Sequence, residues 1–240
     1  MEVDAIKTMR FFAGKVIESI APFQPEKYAN GLYAIKTDSG RYVARTLHRG
    51  ETDMAVEYAV TARAATLGIA PRVYAFDSEN ATMILEWIYG EHKRTLDRRD
   101  LETLATTLRK LHAIDTGTLS PSLPYVRLEA TITPDTPAIT DAFAVLARYP
   151  RYDVLCHHDL NPLNLLWQNG EVKLLDFEYT RINDRCFDLA GVCVEFGLTD
   201  AEARYFVEVY LEGKGFDGEK LGAYKVLYEA LCKQWDNVQT

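Results

Sequence analysis

The sequence contains no run of about 18 apolar residues, the length a helix needs to cross a bilayer. Its start, Met-Glu-Val-Asp, leads into no apolar core of a secretion signal. Both absences predict a chain that does not insert into a membrane. Cysteine is scarce: Cys156, Cys186, Cys193 and Cys232 stand in apolar surroundings without C-x-x-C spacing. They read as buried free thiols in a reducing compartment, which predicts a cytoplasmic protein. Basic excess is also missing. With 27 Lys and Arg against 35 Asp and Glu, the net charge is −8, whereas a nucleic-acid binder shows a basic face. The acidic balance is compatible with a cationic substrate.

The chain has 240 residues, 48% of them apolar. That is enough for one large domain or two small lobes with a real core.

The informative stretch runs from Asp153 to Arg181. Val154-Leu155-Cys156 delivers a polar loop that carries His157, Asp159 and Asn164. Leu-Leu-Trp-Gln, Asn169-Gly170 and Glu-Val-Lys-Leu-Leu-Asp176-Phe follow. Asn-Gly between strand-like residues is a strong hairpin signal, because both central residues of a type I′ turn need positive φ. Such a hairpin returns Asp176 towards Asn164. Two carboxylates, a carboxamide and a histidine then share one place, and phosphoryl transfer needs this set. One carboxylate orients the attacking hydroxyl and takes its proton, a role for Asp159. An Asn and a second Asp hold the magnesium that bridges nucleotide phosphates, roles for Asn164 and Asp176. His157 is grouped with Asp159 in the catalytic loop, where it braces the backbone. The plainer reading is that Asp and Asn are simply good loop residues. Cys156-His157-His158 makes a poor metal site, since neighbours on a strand point to opposite faces.

Upstream, Ile6, Met9, Ala13, Val16, Ile17 and Ile20 fall on one face of a helix expected over residues 4–20 and stopped by Pro22. Residues 27–37 and 41–47 read as strands, joined by Asp38-Ser39-Gly40. The two-residue alternation places Arg45 in an apolar row, where a charge needs a partner. Glu57 offers one, beside the Val56/Val60/Ala64/Leu67 stripe of a helix over 53–67. A basic strand residue held by a helix Glu can grip nucleotide phosphates, and Arg supplies a bidentate fork. The alternative is a strand charge reaching solvent. A second hairpin, residues 72–76 and 81–87, leads to a hinge at Tyr89-Gly90.

Further on, Leu101, Leu104, Ala105, Leu108 and Leu111 form a buried helix stripe, with His112 as a core or cap residue. Residues 115–137 read as an irregular connection bordering the substrate, and Thr136-Pro137 opens a helix. Thr199-Asp-Ala-Glu202 is a capping box. The last helix sets Leu221, Tyr224, Tyr228, Leu231 and Trp235 on one face, a pattern more usual for core residues.

His157-x-Asp159-x-x-x-x-Asn164, with Leu175-Asp176-Phe177-Glu178-Tyr179, resembles the aminoglycoside phosphotransferase and choline kinase superfamily. Phe187-Asp188-Leu189-Ala190 and Glu195 look most like its choline and ethanolamine kinase branch. The resemblance implies an α+β, bilobal, protein-kinase-like fold. A small antiparallel-sheet lobe, residues 1–88, would bind nucleotide, and a mainly helical lobe, 89–240, would carry catalysis and substrate. It implies ATP and Mg2+ as cofactors, with adenine against the backbone at Glu86 to Ile88. Asn30 belongs to the turn Tyr28 to Tyr33, which stands where the family covers the phosphates. That turn has one glycine and serves equally as a plain turn. Asp188, by its position able to cap a helix, would brace the catalytic loop. Glu195 and Trp235 match pocket positions for a small cationic alcohol, with Tyr179 and Tyr228 as further candidates. Cation–π attraction there is worth about 2 kcal/mol when desolvated. Cys232 departs from the aromatic often found at its position. Choline or ethanolamine are the expected acceptors, with thiamine or an aminoglycoside as alternatives. A catalytically silent, nucleotide-binding relative is the reading from another class.

Overall fold

In the computed structural model the structure describes residues 2–23, 30–47, 54–119 and 123–238. The chain begins with α1 (Glu2–Thr8), a 3-10 turn at Arg10–Phe12 and strand β1 (Ile17–Pro22). The single helix expected over residues 4–20 is therefore wrong in its second half. Gly14 adopts φ +80, which breaks a helix, and the β-branched Val16-Ile17 pair then favours extended backbone. Ile6, Met9 and Phe12 still serve as one apolar set, packed on Ile35, Ala44 and Ile84 of the sheet.

β2 (Asn30–Thr37) and β3 (Gly40–Leu47) follow as the expected hairpin. After α2 (Met54–Thr66) come β4 (Val73–Asp77) and β5 (Thr82–Glu86). All pairings are antiparallel, in the order β1-β2-β3-β5-β4. Gly68, at φ +71, ends α2. The next turn is tied to the rest of the chain: Leu174 N donates to Ile69 O at 2.8 Å and Lys173 Nζ to Gly68 O at 2.5 Å. Val56, Val60 and Ala64 of α2 join the larger apolar core, so this helix connects the sheet lobe to the helical lobe.

The crossing between lobes depends on a close backbone approach. Glu91 and Trp167 exchange N–H···O bonds of 2.9 Å. A Cβ on Gly90 would lie 2.7 Å from Trp167 O, so glycine is required there.

The second lobe contains α3 (Arg98–His112), a short α4 (Leu128–Thr131) and α5 (Pro137–Leu146). Asp97 and Asp100 form a capping box on α3, and Thr136 caps α5. Strands β6 (Asp153–Cys156), β7 (Leu165–Gln168), β8 (Glu171–Leu174) and β9 (Arg181–Asp184) precede α6 (Cys186–Glu195), α7 (Asp200–Tyr210) and α8 (Gly218–Val238). β7 pairs with β8 and β6 with β9. Asn169 and Gly170 sit at φ +52 and +79, as the tight hairpin requires. Leu104, Leu108, Leu111, Phe187, Leu189, Phe206 and Leu227 are fully buried, so α3, α6, α7 and α8 enclose one core behind β6 to β9. No helix among the described residues is long and apolar enough to cross a membrane.

Candidate active site

β6 ends at buried Cys156 and passes into His157, His158 and Asp159. His158 adopts φ +73, a region that side-chain-bearing residues rarely occupy. Asp188 holds the loop in that shape. Its Oδ2 accepts from His157 N at 2.7 Å and its Oδ1 from His158 N at 3.0 Å. His112 Nε2 lies 3.1 Å from the same Oδ2, and His112 Nδ1 lies 2.8 Å from the Tyr210 hydroxyl. Burial would raise the Asp188 carboxyl, but the hydrogen bond and charge from His112, helped by His158 and His157, leave it below its ordinary value. Its position opening α6 suggested a helix cap. Its oxygens instead reach across to the loop, so it serves the backbone of β6 rather than its own helix.

His157 is fully buried. Its Nε2 donates to Leu175 O at 2.9 Å, so its Nδ1 accepts from Asp159 N at 3.3 Å. Both nitrogens are committed to backbone, and the ring pins the loop to the chain leaving β8. His158, half-buried and lying on the Phe187 ring at 4.4 Å, is held neutral: desolvation pushes it down to about 4.

Asp159 is gripped by two amides. Asn161 Nδ2 donates to its Oδ1 at 2.8 Å and Asn164 Nδ2 to its Oδ2 at 2.7 Å. Asn161 also caps the 3-10 turn Pro162–Asn164. The hairpin register, Leu165 opposite Leu174, is extended by Leu175 N donating to Asn164 O at 2.9 Å. Asp176 therefore emerges beside Asn164, as the Asn-Gly turn predicted. It does so with φ +64.

From the other lobe Arg45, 4% exposed, reaches into the same place. Its two terminal nitrogens meet Asp176 Oδ1 at 2.5 Å and Oδ2 at 3.2 Å, and one also meets Glu178 Oε2 at 3.3 Å. Arg45 Nε lies 2.6 Å from Glu57 Oε1, off line for a hydrogen bond, and Glu57 Oε2 is buried without a partner. Burial pushes Glu57 up to about 7; Arg45 opposes that rise, and Asp176 and Glu178 add to it. The expected Arg45–Glu57 pair is present. Two further carboxylates on the same guanidinium went unread, although Glu178 follows Asp176 by only two positions.

The donor set suits magnesium, a hard cation that takes oxygen ligands. Asn164 spends its amide nitrogen on Asp159 O and Oδ2. Its Oδ1 has no protein donor among the described residues, and its backbone oxygen accepts from Leu175 N, the residue before Asp176, at 2.9 Å.

Two other groups border Asp159. Glu195 Oε1 accepts from the Tyr228 hydroxyl at 2.9 Å, and burial raises the Glu195 carboxyl, with the charge of Asp159 adding to the effect. Burial and the charge of Glu195 raise the Tyr228 phenol in turn. Tyr179 meets the Trp235 ring edge-on at 4.9 Å, and it feels the charges of Asp159 and Asp176. Trp235 is 46% exposed, so it is no core residue despite its helical stripe. Tyr228 is buried, and supports Glu195 from behind. Gly191 makes room for it, because a Cβ there would lie 2.9 Å from the Tyr228 ring.

At the crossing, Glu86 N donates to Arg72 O at 2.9 Å, and the Glu86 carboxylate accepts from Arg72 N at 3.1 Å. Ile88 is half-buried. Phe23 stacks on Trp87 at 5.2 Å, an aromatic wall that sequence reading missed. Of the turn expected over residues 28–33 to cover phosphates, residues 28 and 29 lie outside the described residues, as does the side chain of Asn30, and Asn30 to Tyr33 open strand β2, paired with β3, rather than a turn.

The model of the phosphotransferase enzyme family matches residues 23–224. The chain belongs to that family. Among solved structures, choline kinase LicA from Streptococcus pneumoniae superposes with TM-score 0.78 at 21% identity, covering 100% of this chain and 91% of that one. A choline/ethanolamine kinase family protein from Mesorhizobium loti gives 0.76 at 19%, covering 100% and 86%. At these identities the likeness is one of fold, and the bilobal, protein-kinase-like α+β architecture is the one expected. An uncharacterized protein of Mycoplasma pneumoniae is 27% identical over 179 residues, 70% of this chain and 60% of its own length. The chain thus spans less than two thirds of that relative's length.

Proposed function

We propose that this phosphotransferase-family chain is a small-molecule kinase, transferring the γ-phosphoryl group of ATP to the hydroxyl of choline or ethanolamine. Residues 1–88 form the nucleotide-binding lobe and 89–240 the catalytic and substrate-binding lobe. The observation that carries the reading is the shared grip of Asn164: its nitrogen holds Asp159, its amide oxygen meets no protein donor among the described residues, and its backbone oxygen accepts from Leu175 N, which sets Asp176, now held by Arg45, beside it.

Asp159 orients the acceptor hydroxyl and takes its proton. The hydroxyl oxygen bonds to the γ-phosphorus as the bond to the β–γ bridging oxygen breaks, and ADP leaves. Asn164 and Asp176 would hold Mg2+, which supplies positive charge to the β- and γ-phosphate oxygens. Arg45, oriented by Glu57, binds phosphate oxygens as a fork. Adenine lies against the backbone from Glu86 to Ile88, and Asn30, at the start of β2, borders the phosphates. His157 and Asp188 position Asp159 through the loop backbone. Glu195, backed by Tyr228, and the half-buried Tyr179 with the exposed Trp235 attract a cationic headgroup by charge and cation–π attraction. The partly open aromatic edge favours a compact amine. Cys156, Cys186 and Cys193 form no disulfide, which fits a cytoplasmic setting.

ADP release measured with choline, ethanolamine, thiamine and kanamycin, each with magnesium and with EDTA, tests the reading. Magnesium-dependent turnover is expected with choline or ethanolamine and lost in Asp159→Ala, whose ATP affinity remains. Turnover confined to thiamine or kanamycin would overturn the acceptor. No ADP release with any of them would overturn the kinase itself.

A further inference from the structure

Away from the cleft, a cavity of about 510 Å3 lies between the end of α3, β6, the start of α6 and the turn after α7. We propose that it is an anion site, taking phosphate or a phosphomonoester. In a chain of net charge −8, Arg109, Arg185 and Lys214 all line this one volume, Arg109 also donating to Val209 O at 2.7 Å and to Thr106 Oγ1 at 3.2 Å.

The local carboxylates do not neutralise them. Asp153 is drawn aside to Arg151 Nε at 2.9 Å. Glu212, at φ +53 on the turn, stays 3.6 Å from Arg109 and 3.8 Å from Lys214, too far for hydrogen bonds. Glu212 is 59% exposed, and contacts to a carboxylate so open to water are weak and readily exchanged.

Arg185 carries most of the case. Its guanidinium lies over the Tyr152 ring at 4.5 Å and within 5.9 Å of the Tyr210 ring. No carboxylate among the described residues comes within ion-pair distance of it, and its Nε is buried without an acceptor. A buried donor left unmet is costly, and a guanidinium beside two aromatic rings keeps a planar fork of donors suited to oxyanions. α6 opens at the next residue, so its dipole adds the same sign. Three separated cations suit a dianion with several oxygens better than a single carboxylate.

The cavity floor is His112, which shares the Asp188 carboxylate with the backbone of His157 and His158. A bound anion would thus border the group that shapes the Asp159 loop without entering the cleft. The proposal does not depend on the kinase reading.

Calorimetric titration of the full chain with inorganic phosphate, and separately with methyl phosphate, tests it. Binding in the millimolar range or tighter is expected, weakened about tenfold in Arg185→Gln, the loss of one charge-assisted contact. Lys214→Ala, on a side chain 80% exposed and so harmless to folding, should weaken it severalfold. Methyl phosphate binding more tightly assigns the site to an ester, and equal binding assigns it to the phosphate group alone. The His112 ring resonances should move on phosphate addition. No phosphate binding by the wild-type chain, binding indifferent to both substitutions, or an unmoved His112 signal would overturn the proposal. Phosphate held only in the cleft would show itself as such indifference.

Discussion

Arg45→Met tests the electrostatics of the cleft most directly. Arg45 is 4% exposed and Glu57 2%, so the substitution leaves a carboxylate in low dielectric without its counter-charge. Breaking a buried pair by removing one partner costs about 3–5 kcal/mol. The loss should depend on pH in a direction that can be worked out. Burial already pushes Glu57 up to about 7 against the pull of Arg45, so removing Arg45 raises it further. A carboxylate whose folded value lies above its unfolded value contributes fully below the unfolded value, and the contribution is lost as pH rises through the folded one. The wild-type chain has completed most of that loss near pH 7, whereas the variant continues losing above it. The penalty of Arg45→Met should therefore grow by about 1–2 kcal/mol between pH 7 and 8.5, at 1.36 kcal/mol for each pH unit of differential ionisation. Adding Glu57→Gln removes the ionisable group, so the double variant should recover at least about half the loss and shed the extra slope. Urea denaturation of the four proteins at both pH values reads these differences. A single-variant loss below about 1 kcal/mol at both pH values, or a double variant no more stable than the single one, would refute the pairing.

Two further outcomes are expected. His158 is half-buried with its folded value depressed to about 4, so its contribution is present above the ordinary value near 6.5 and lost as pH falls towards 4. His158→Asn, which tolerates the positive φ, should make the loss of stability between pH 7 and 5 smaller by about 2 kcal/mol; identical slopes in urea denaturation would show that the ring protonates freely. Gly191→Ala drives a Cβ to 2.9 Å from Tyr228 and should loosen its bond to Glu195. KM for the amino alcohol should rise severalfold with KM for ATP unchanged, and equal rises in both would deny Glu195 a place at the acceptor.

Local chemistry made much of the site legible. Asn169-Gly170 specified a turn, the turn specified a register, and the register brought Asp176 to Asn164. The Arg45–Glu57 pair followed from an intolerable lone charge in an apolar row. Local chemistry also misled once. Apolar residues three or four apart in residues 4–20 suit a helix, but Gly14 and the pairing of Ile17–Pro22 with β2 override that pattern, because tertiary pairing outweighs propensity. Exposure was equally illegible: Tyr228 and Trp235 share a helical stripe, yet one is buried and the other lies open.

What no local pattern could give is the support behind the loop. His112 and Asp188 are 76 positions apart, and neither residue type announces the other. The need for them becomes apparent only from the backbone. His158 and Asp176, side-chain-bearing residues on either side of the site, both adopt positive φ, a conformation that costs about 1–3 kcal/mol and persists only where surrounding contacts over-determine it. The Asp188 carboxylate supplies those contacts for His158 through two backbone donors. Arg45 supplies them for Asp176 through a bidentate pair from the other lobe. The two strained positions are thus held by different means, one by buried hydrogen bonds and one by a charge that phosphate oxygens would compete for. On the proposed reading nucleotide should loosen Asp176 and leave His158 in place.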